Sequence, residues 1–370
     1  MAGIYLSYPF CSQKCTYCNF SSGVLPRDLE PRYIRALQKE IAEAEFDWQP
    51  ETIYLGGGTP SNMDLDSLAS IVAQRDWIEA TIEAAPGNID AVKARAWRKA
   101  GINRVSLGVQ SFITEELRRT GRKHDFDVVR GEVRDLRAAG VGNFNIDLIA
   151  GLPGQTRESW NTSLERLLLL DPPHVSVYML EIDEDSRLGA EVIAFGQRYG
   201  APDVPGDELI VELYETAVDR LAAAGIARYE ISNFALPGFE SCHNLKYWLR
   251  EPYLGFGADA HSFDVGQRWE NVASAAEYVE RLEQGRTPVA ARSEADPVAE
   301  SFFLGLRLAR GIDAGEARKR GFIAEIQELM QDGLLEESDG RLRLTRRGIL
   351  VSNEVFQKFL PDQTVGTSES

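Results

Sequence analysis

Histidine and cysteine are scarce in this chain, with four of each among 370 residues. No apolar run approaches the ~18–20 residues that a membrane-spanning helix needs. The opening stretch, MAGIYLSYPF, has neither the basic region nor the long apolar segment of a signal peptide, so the expected compartment is the cytoplasm. Positive charge is also in short supply. Lys and Arg number 40 against 57 Asp and Glu, a net charge of −17. That balance excludes a generic nucleic-acid surface or an anionic-membrane surface, both of which need clustered cations. Four cysteines in a reducing compartment are too few for a disulfide framework. Thiols that cluster there more often bind metal or do redox chemistry.

What is present is a globular composition, 44% hydrophobic and 26% charged. The length implies two or three domains. From residue 3 to about 225, short β-branched or aromatic runs alternate with segments of helical period. The strands expected are 4–8, 52–55, 80–84, 104–110, 143–149 and 174–180. Helices are expected at 31–46, 157–170 and 207–224. Six βα units in a row predict a parallel sheet covered by helices, either an open doubly wound sheet or a partial barrel. In both, ligands bind at the C-terminal strand ends. Residues 185–206 read as a loop, and 232–293 as an aromatic, glycine-rich connecting segment. From 294 to 360 the order changes: helices at 297–309 and 322–332, a hairpin turning at Asp339-Gly340, and a last helix at 346–359. That order resembles a small winged-helix module. Its acidic and basic residues nearly balance, so no nucleic-acid partner is expected. Residues 361–370 read as a disordered tail.

Three of the four cysteines, Cys11, Cys15 and Cys18, fall in "YPFCSQKCTYCNF" with the spacing C-x3-C-x2-C. The motif follows the first expected strand, at the ligand end of an α/β sheet. Three thiolates on one loop can hold three corners of a [4Fe–4S] cube and leave one iron open. Zinc is the alternative, with Cys242 or His243 supplying a fourth ligand. Spacing alone leaves both open.

One βα unit downstream the second strand runs into Gly56-Gly57-Gly58-Thr59-Pro60. Together with Tyr17 before the last cysteine, this pattern resembles the radical S-adenosylmethionine (SAM) superfamily. "ETIYLGGGTPS", "RVSLGVQSF", "NFNIDLIAGLPGQT", "YEISNFALPGFESCHNLKYW" and "YLGFGADAHS" are similar to oxygen-independent coproporphyrinogen III oxidases and their relatives. Within that group the chain resembles the HemW-type heme chaperones on three features. Only Met1 to Phe10 precede Cys11, Phe20 stands where the oxidase has a fourth cysteine, and His243 to Trp248 fit an HNxxYW signature.

The resemblance implies a fold: a partial (βα)6 TIM-like barrel over 1–231, followed by a small α+β C-terminal domain. It implies Cys11, Cys15 and Cys18 as [4Fe–4S] ligands. For SAM it implies Tyr5, Tyr17, Gly57, Gly58, Thr59, Glu83, Gln110, Arg122 and Asp147. As a residue type alone, Arg122 has a second reading, a solvated charge at a helix end. For heme the resemblance implies His243, with Tyr247 and Trp248 as flat apolar surface; Cys242 and His261 remain alternative iron ligands. The chain departs from the group at Ser7, where relatives have histidine, in a short 58–83 segment, in "EAAPG" for "EANPG", and at Asp259. The function implied is binding of heme as cargo and its delivery to an apo-cytochrome or respiratory protein. Peripheral membrane association and a homodimer are left open. The rivals are an active radical SAM enzyme on a tetrapyrrole, cleaving SAM to a 5′-deoxyadenosyl radical, and a zinc-stabilised binding module.

Overall fold

The computed structural model describes residues 2–45, 47–73 and 75–360. The expected tail at 361–370, and residue 46 at the end of the first expected helix, lie outside them. The chain divides into two compact units. One comprises 1–228, 232–246 and 251–293; the other comprises 229–231, 247–250 and the chain from Glu294 on.

The first unit is built on β1 (Ala2–Tyr8), α1 (Leu29–Glu43), β2 (Pro50–Gly57), α2 (Leu65–Val72), β3 (Glu79–Ala84), α3 (Ala91–Ala100), β4 (Arg104–Gln110), α4 (Thr114–Arg119), α5 (Phe126–Ala138), β5 (Asn143–Ala150), α6 (Arg157–Leu169) and β6 (His174–Met179). β1 to β6 are parallel and neighbour one another in sequence order. A doubly wound sheet would reverse its order at a switch point, whereas sequential order is barrel winding. The strands are nearly continuous buried runs, as β4 shows with Val105, Leu107 and Val109 fully covered. That is the pattern of a sheet clothed by helices. Side chains set the helix starts. Asp90 accepts from the Val92 and Lys93 amides, Asp125 from Val128, and Thr156 and Ser159 form a capping box. The short 58–83 segment still holds a complete helix, α2, and a complete β3.

Residues 185–206, expected as a loop, contain α7 (Arg187–Ile193) and a 3-10 turn before α8 (Asp207–Ala223). Seven residues with Gly189 inside give too little period for sequence reading. Nor is 232–293 a separate connector. β7 (Ala227–Arg228) and β8 (Asn233–Ala235) extend the sheet beyond β6. Then α9 (Cys242–Leu249) leads to β9 (Tyr253–Phe256), β10 (His261–Asp264), β11 (Gln267–Asn271), α10 (Ala275–Glu283) and β12 (Val289–Glu294), which extend the sheet beyond β1. β9 pairs with β1 and β8 with β6, so the six parallel strands do not close on themselves: the barrel is partial.

The second unit holds α11 (Pro297–Phe303), β13 (Ile312–Asp313), α12 (Ala314–Lys319), α13 (Ile323–Gln331), β14 (Leu335–Ser338), β15 (Arg341–Leu344), α14 (Arg346–Leu350) and α15 (Ser352–Gln357). Its hairpin turns at Asp339 and Gly340, with φ of 52° and 71°, as a two-residue turn of that hand requires. The helix expected at 346–359 is broken at Val351. Phe302 and Phe359 stack at 4.4 Å in the core, with Phe322 edge-on. Among the described residues no helix is long and apolar enough to cross a membrane.

Candidate functional site: the mouth of the partial barrel

The cysteine loop leaves β1 at its C-terminal end and is fastened on several sides. The Cys11 amide donates to Gly23 O at 2.9 Å, and Gly23 donates to Pro9 O at 2.9 Å. Thr16 donates to Thr120 O at 3.3 Å and accepts from Leu188 N at 2.7 Å. Asn19 Nδ2 reaches Asp183 Oδ2 at 2.6 Å. The loop is thus a fixed platform with Cys11, Cys15 and Cys18 all half-buried on it. Burial pushes the Cys11 thiol up, the nearby Thr59 and Ser22 hydroxyls oppose that, and the nearness of Cys18 and Cys15 raises it again. Phe20 is 65% exposed beside them.

The glycine run at the end of β2 contributes more than open space for a ligand. Gly58 N donates to Tyr8 O at 2.8 Å and Thr59 N to Phe10 O at 3.0 Å. A Cβ at Gly58 would lie 2.8 Å from both Tyr8 O and Pro9 C, backbone atoms that have nowhere to go. Gly58 therefore seats the root of the cysteine loop. Gly57 adopts φ +104°, open to glycine, and its amide donates to Glu83 Oε2 at 3.2 Å.

Two carboxylates occupy the interior. Glu83, on β3, accepts from Tyr54 Oη at 2.9 Å as well as from Gly57. Asp147, on β5, accepts from Asn145 Nδ2 at 2.6 Å. Burial, then the neighbouring Asp147, pushes Glu83 up to about 7. Burial also raises Asp147, against hydrogen bonds from Ser176 and Asn145. A cationic ligand would relieve both acids at once. Tyr5 stacks on Tyr54, ring centroids 6.2 Å apart. Gln110 ends β4 at φ 71°, a left-handed conformation costly for a non-glycine, and its Oε1 is buried without a hydrogen-bond partner. Arg122 donates to Gly108 O at 2.8 Å and to Tyr17 Oη at 3.1 Å. It is a built-in group, not a solvated charge. Burial works against its charge, but Tyr17 and Cys15 outweigh burial and raise it. Tyr54 and Asn145, which hold the two acids, are the residues sequence reasoning missed. Tyr54 alone carried a signal, since it shares the inward face of β2 with Thr52 and Gly56 by strand alternation.

His243 and Cys242 lie elsewhere. The Cys242 amide donates to Glu79 Oε2 at 2.9 Å, and Ser241 Oγ and the His243 amide donate to Glu79 Oε1. His243 Nδ1 is 2.9 Å from Thr52 Oγ1. Glu79 begins β3 and Thr52 lies near the start of β2, paired with Gly3 at the start of β1. These groups sit at the N-terminal base of the barrel. The rise from Thr52 to Gly57 is about 17 Å at ~3.3 Å per residue. Neither Cys242 nor His243 can therefore complete the cysteine site, which removes the zinc arrangement expected from them. Among the described residues, no group of three or more His, Cys, Asp or Glu converges on one metal ion. A single zinc needs such convergence, while a cube spreads its thiolate corners over several irons. Three half-buried thiols on one fastened loop are a donor set that the corners of a cube can use.

His243 is 1% exposed and packs its ring 5.2 Å from Tyr54. Burial, with Lys246 and Arg104, lowers its imidazole to about 3. In this fold its ring is buried in the core of the first unit. The sequence could not show this, because α9 is too short for its period to assign a buried face. Tyr247 and Trp248 count with the second unit. The Arg307 guanidinium lies 4.4 Å over the Trp248 ring, so that apolar face is already taken. His261 is exposed, 3.6 Å from Glu270.

Known proteins place this arrangement. The radical SAM superfamily model matches residues 5–167, and the HemN C-terminal domain model matches residues 293–351. The heme chaperone HemW of Bacillus subtilis (strain 168) is 34% identical over 381 aligned residues, covering 97% of this chain and 99% of that protein. HemW of Escherichia coli (strain K12) is 30% identical, covering 97% of this chain and 98% of its own. The solved structure of coproporphyrinogen III oxidase (HemN) from Escherichia coli overlays with a TM-score of 0.83 at 21% identity, covering 97% of this chain and 89% of that one; this likeness is one of fold. Radical SAM membership implies a [4Fe–4S] cluster and SAM. With a three-thiol mouth, a two-acid interior and this likeness along nearly its whole length, the chain belongs to the HemW family of radical SAM proteins.

Proposed function

We propose that this protein binds heme and hands it to an apo-protein, using a SAM-binding cluster site at the barrel mouth. The observation that supports it best is an intact three-thiol mouth in a chain that resembles, over 97% of its length, proteins named heme chaperones. Cys11, Cys15 and Cys18 would hold the cluster, which when bound supplies an electron and an open iron. Glu83 and Asp147 would hold the ammonium side of SAM, with the Gly57 backbone and Tyr5 shaping the pocket. Tyr54 holds the Glu83 carboxylate in place. The acceptor would be an apo-cytochrome or another respiratory apo-protein. His243 enters this reading as a core group at the base, not as an open iron ligand. Phe20 at the mouth, in place of a further thiol, favours cargo handling over porphyrinogen oxidation.

The test is a hemin titration of anaerobically purified protein, paired with an assay on coproporphyrinogen III with SAM and a strong reductant. A saturable Soret band without protoporphyrinogen formation is expected. Absence of any Soret band, or ready turnover, would overturn the reading.

A further inference from the structure

Asp147 does not stand alone on the inner face of the sheet. Strand alternation turns Ser106 of β4, Asn145 and Asp147 of β5, and His174 and Ser176 of β6 to one side. In the parallel register Asn145 sits between Ser106 and His174. Its Nδ2 donates to Asp147 Oδ1 at 2.6 Å and to Ser106 Oγ at 2.8 Å. Its Oδ1 lies 2.7 Å from His174 Nδ1. A carbonyl oxygen only accepts, so the proton of that contact belongs to His174 Nδ1. Ser176 Oγ is 3.2 Å from the same oxygen but 2.8 Å from Asn233 Oδ1, and its single proton serves the shorter contact. His174 is therefore the donor on which the Asn145 carbonyl depends. All three, His174, Asn145 and Ser106, are buried. Burial, with Arg104 nearby, holds the His174 imidazole well below its ordinary range, so the ring is neutral and carries one proton.

We infer that His174 orients the Asn145 amide and through it keeps Asp147 an ionised carboxylate for a cationic ligand, which makes His174 a positioning residue of the SAM pocket. An amide has one donating end and one accepting end. While His174 donates to the carbonyl, the NH2 end faces Asp147 and favours the ionised acid. Without that donor the amide can turn. Its carbonyl would then meet Asp147, and two acceptors that close need a proton between them. The acid would be held protonated, and its attraction for the ligand's positive charge lost. Glu83, Tyr54, Arg104 and Arg122 also bear on Asp147 electrostatically, and each is unchanged when only His174 is replaced. His174 begins β6, paired with a residue two positions deeper than Asp147, so it acts through Asn145 rather than on the ligand. The inference rests on the placing of SAM against Asp147 proposed above and needs nothing of heme.

The experiment is equilibrium dialysis of SAM against the reconstituted protein across a range of pH, with iron and sulfide counted first in every variant. Wild-type affinity should fall as pH drops through the Asp147 range, where the acid takes up its proton. His174→Leu removes the donor, and His174→Gln holds its amide one bond farther out. Each should weaken SAM about tenfold at neutral pH and move the fall in affinity upward by about one pH unit. His174→Asn puts an amide nitrogen near the place of Nδ1, and should restore most of the affinity and the wild-type profile. Unchanged affinity and profile in His174→Leu and His174→Gln would overturn the inference. So would a loss that His174→Asn shares with no movement of the profile, the mark of packing alone. If His174→Leu does not fold, the Gln and Asn variants decide. Asp147→Asn is the control: SAM bound there as tightly as in the wild type would sink the placing of SAM itself, a failure distinct from that of His174.

Discussion

The two ends of the barrel use similar residue types to opposite ends. At the mouth, three thiols are half-buried, two acids are raised by burial, and Gln110 holds a strained backbone with an unmatched oxygen. At the base, a carboxylate, an imidazole and a fourth thiol also meet, yet there Glu79 takes the amides that begin α9 and His243 is sealed against Thr52. Polar groups that hold backbone are structure. Polar groups left short of partners on a fixed platform are a site. A histidine beside tyrosine and tryptophan looks like a ligand in sequence. Only its depth in the fold shows that it is core.

That contrast can be broken by substitution. Replacing Cys11, Cys15 and Cys18 by Ala should abolish bound iron and sulfide while leaving the melting temperature within a few degrees, since half-exposed thiols carry little stability. A large loss of fold would mean the loop is core. His243→Ala should do the reverse. It opens a cavity and strands the Thr52 hydroxyl, so denaturant unfolding should show a loss of roughly 2–4 kcal/mol. The folded variant should keep its Soret band on hemin titration; a lost band with stability intact would make His243 the iron ligand. Gly58→Ala should cost about 1–3 kcal/mol, because its Cβ meets backbone, and should lower the cluster content.

The smallest effect concerns Glu83, whose folded-state value of about 7 lies above the ordinary carboxylate range. Between about pH 4.5 and 7 the native state then holds more protons than the unfolded chain, so this group's contribution falls as pH rises through that window. Below it, the effect is absent. Glu83→Gln should gain on the wild type from pH 5 to 8 by on the order of 1–2 kcal/mol in SAM-free unfolding curves. SAM affinity should drop in the same variant. A difference independent of pH would place Glu83 in solvent.

Much of the mouth was legible because it follows strand logic. Cys11 comes directly after a buried strand, and Glu83, Gln110 and Asp147 sit on neighbouring strands of a parallel run. Strand positions and the parallel class followed from alternation and length, and the structure matches all six. The base was not legible. α9 spans Cys242–Leu249, too few residues for its period to say which side is covered. Glu79 opens a strand and is the partner of amides 163 and 164 positions away. No local pattern records a pairing at that separation. The packing role of Gly58 was hidden for a similar reason: what crowds it is the backbone of Tyr8, Pro9 and Phe10, which only the fold brings there.

The most direct test is the iron, sulfide and zinc content of the Cys242→Ser variant, purified and reconstituted anaerobically. With Cys242 at the base and the three thiols at the mouth, about four irons and four sulfides per chain are predicted, as in the wild type. A single zinc per chain, or iron lost together with Cys242, would contradict the account.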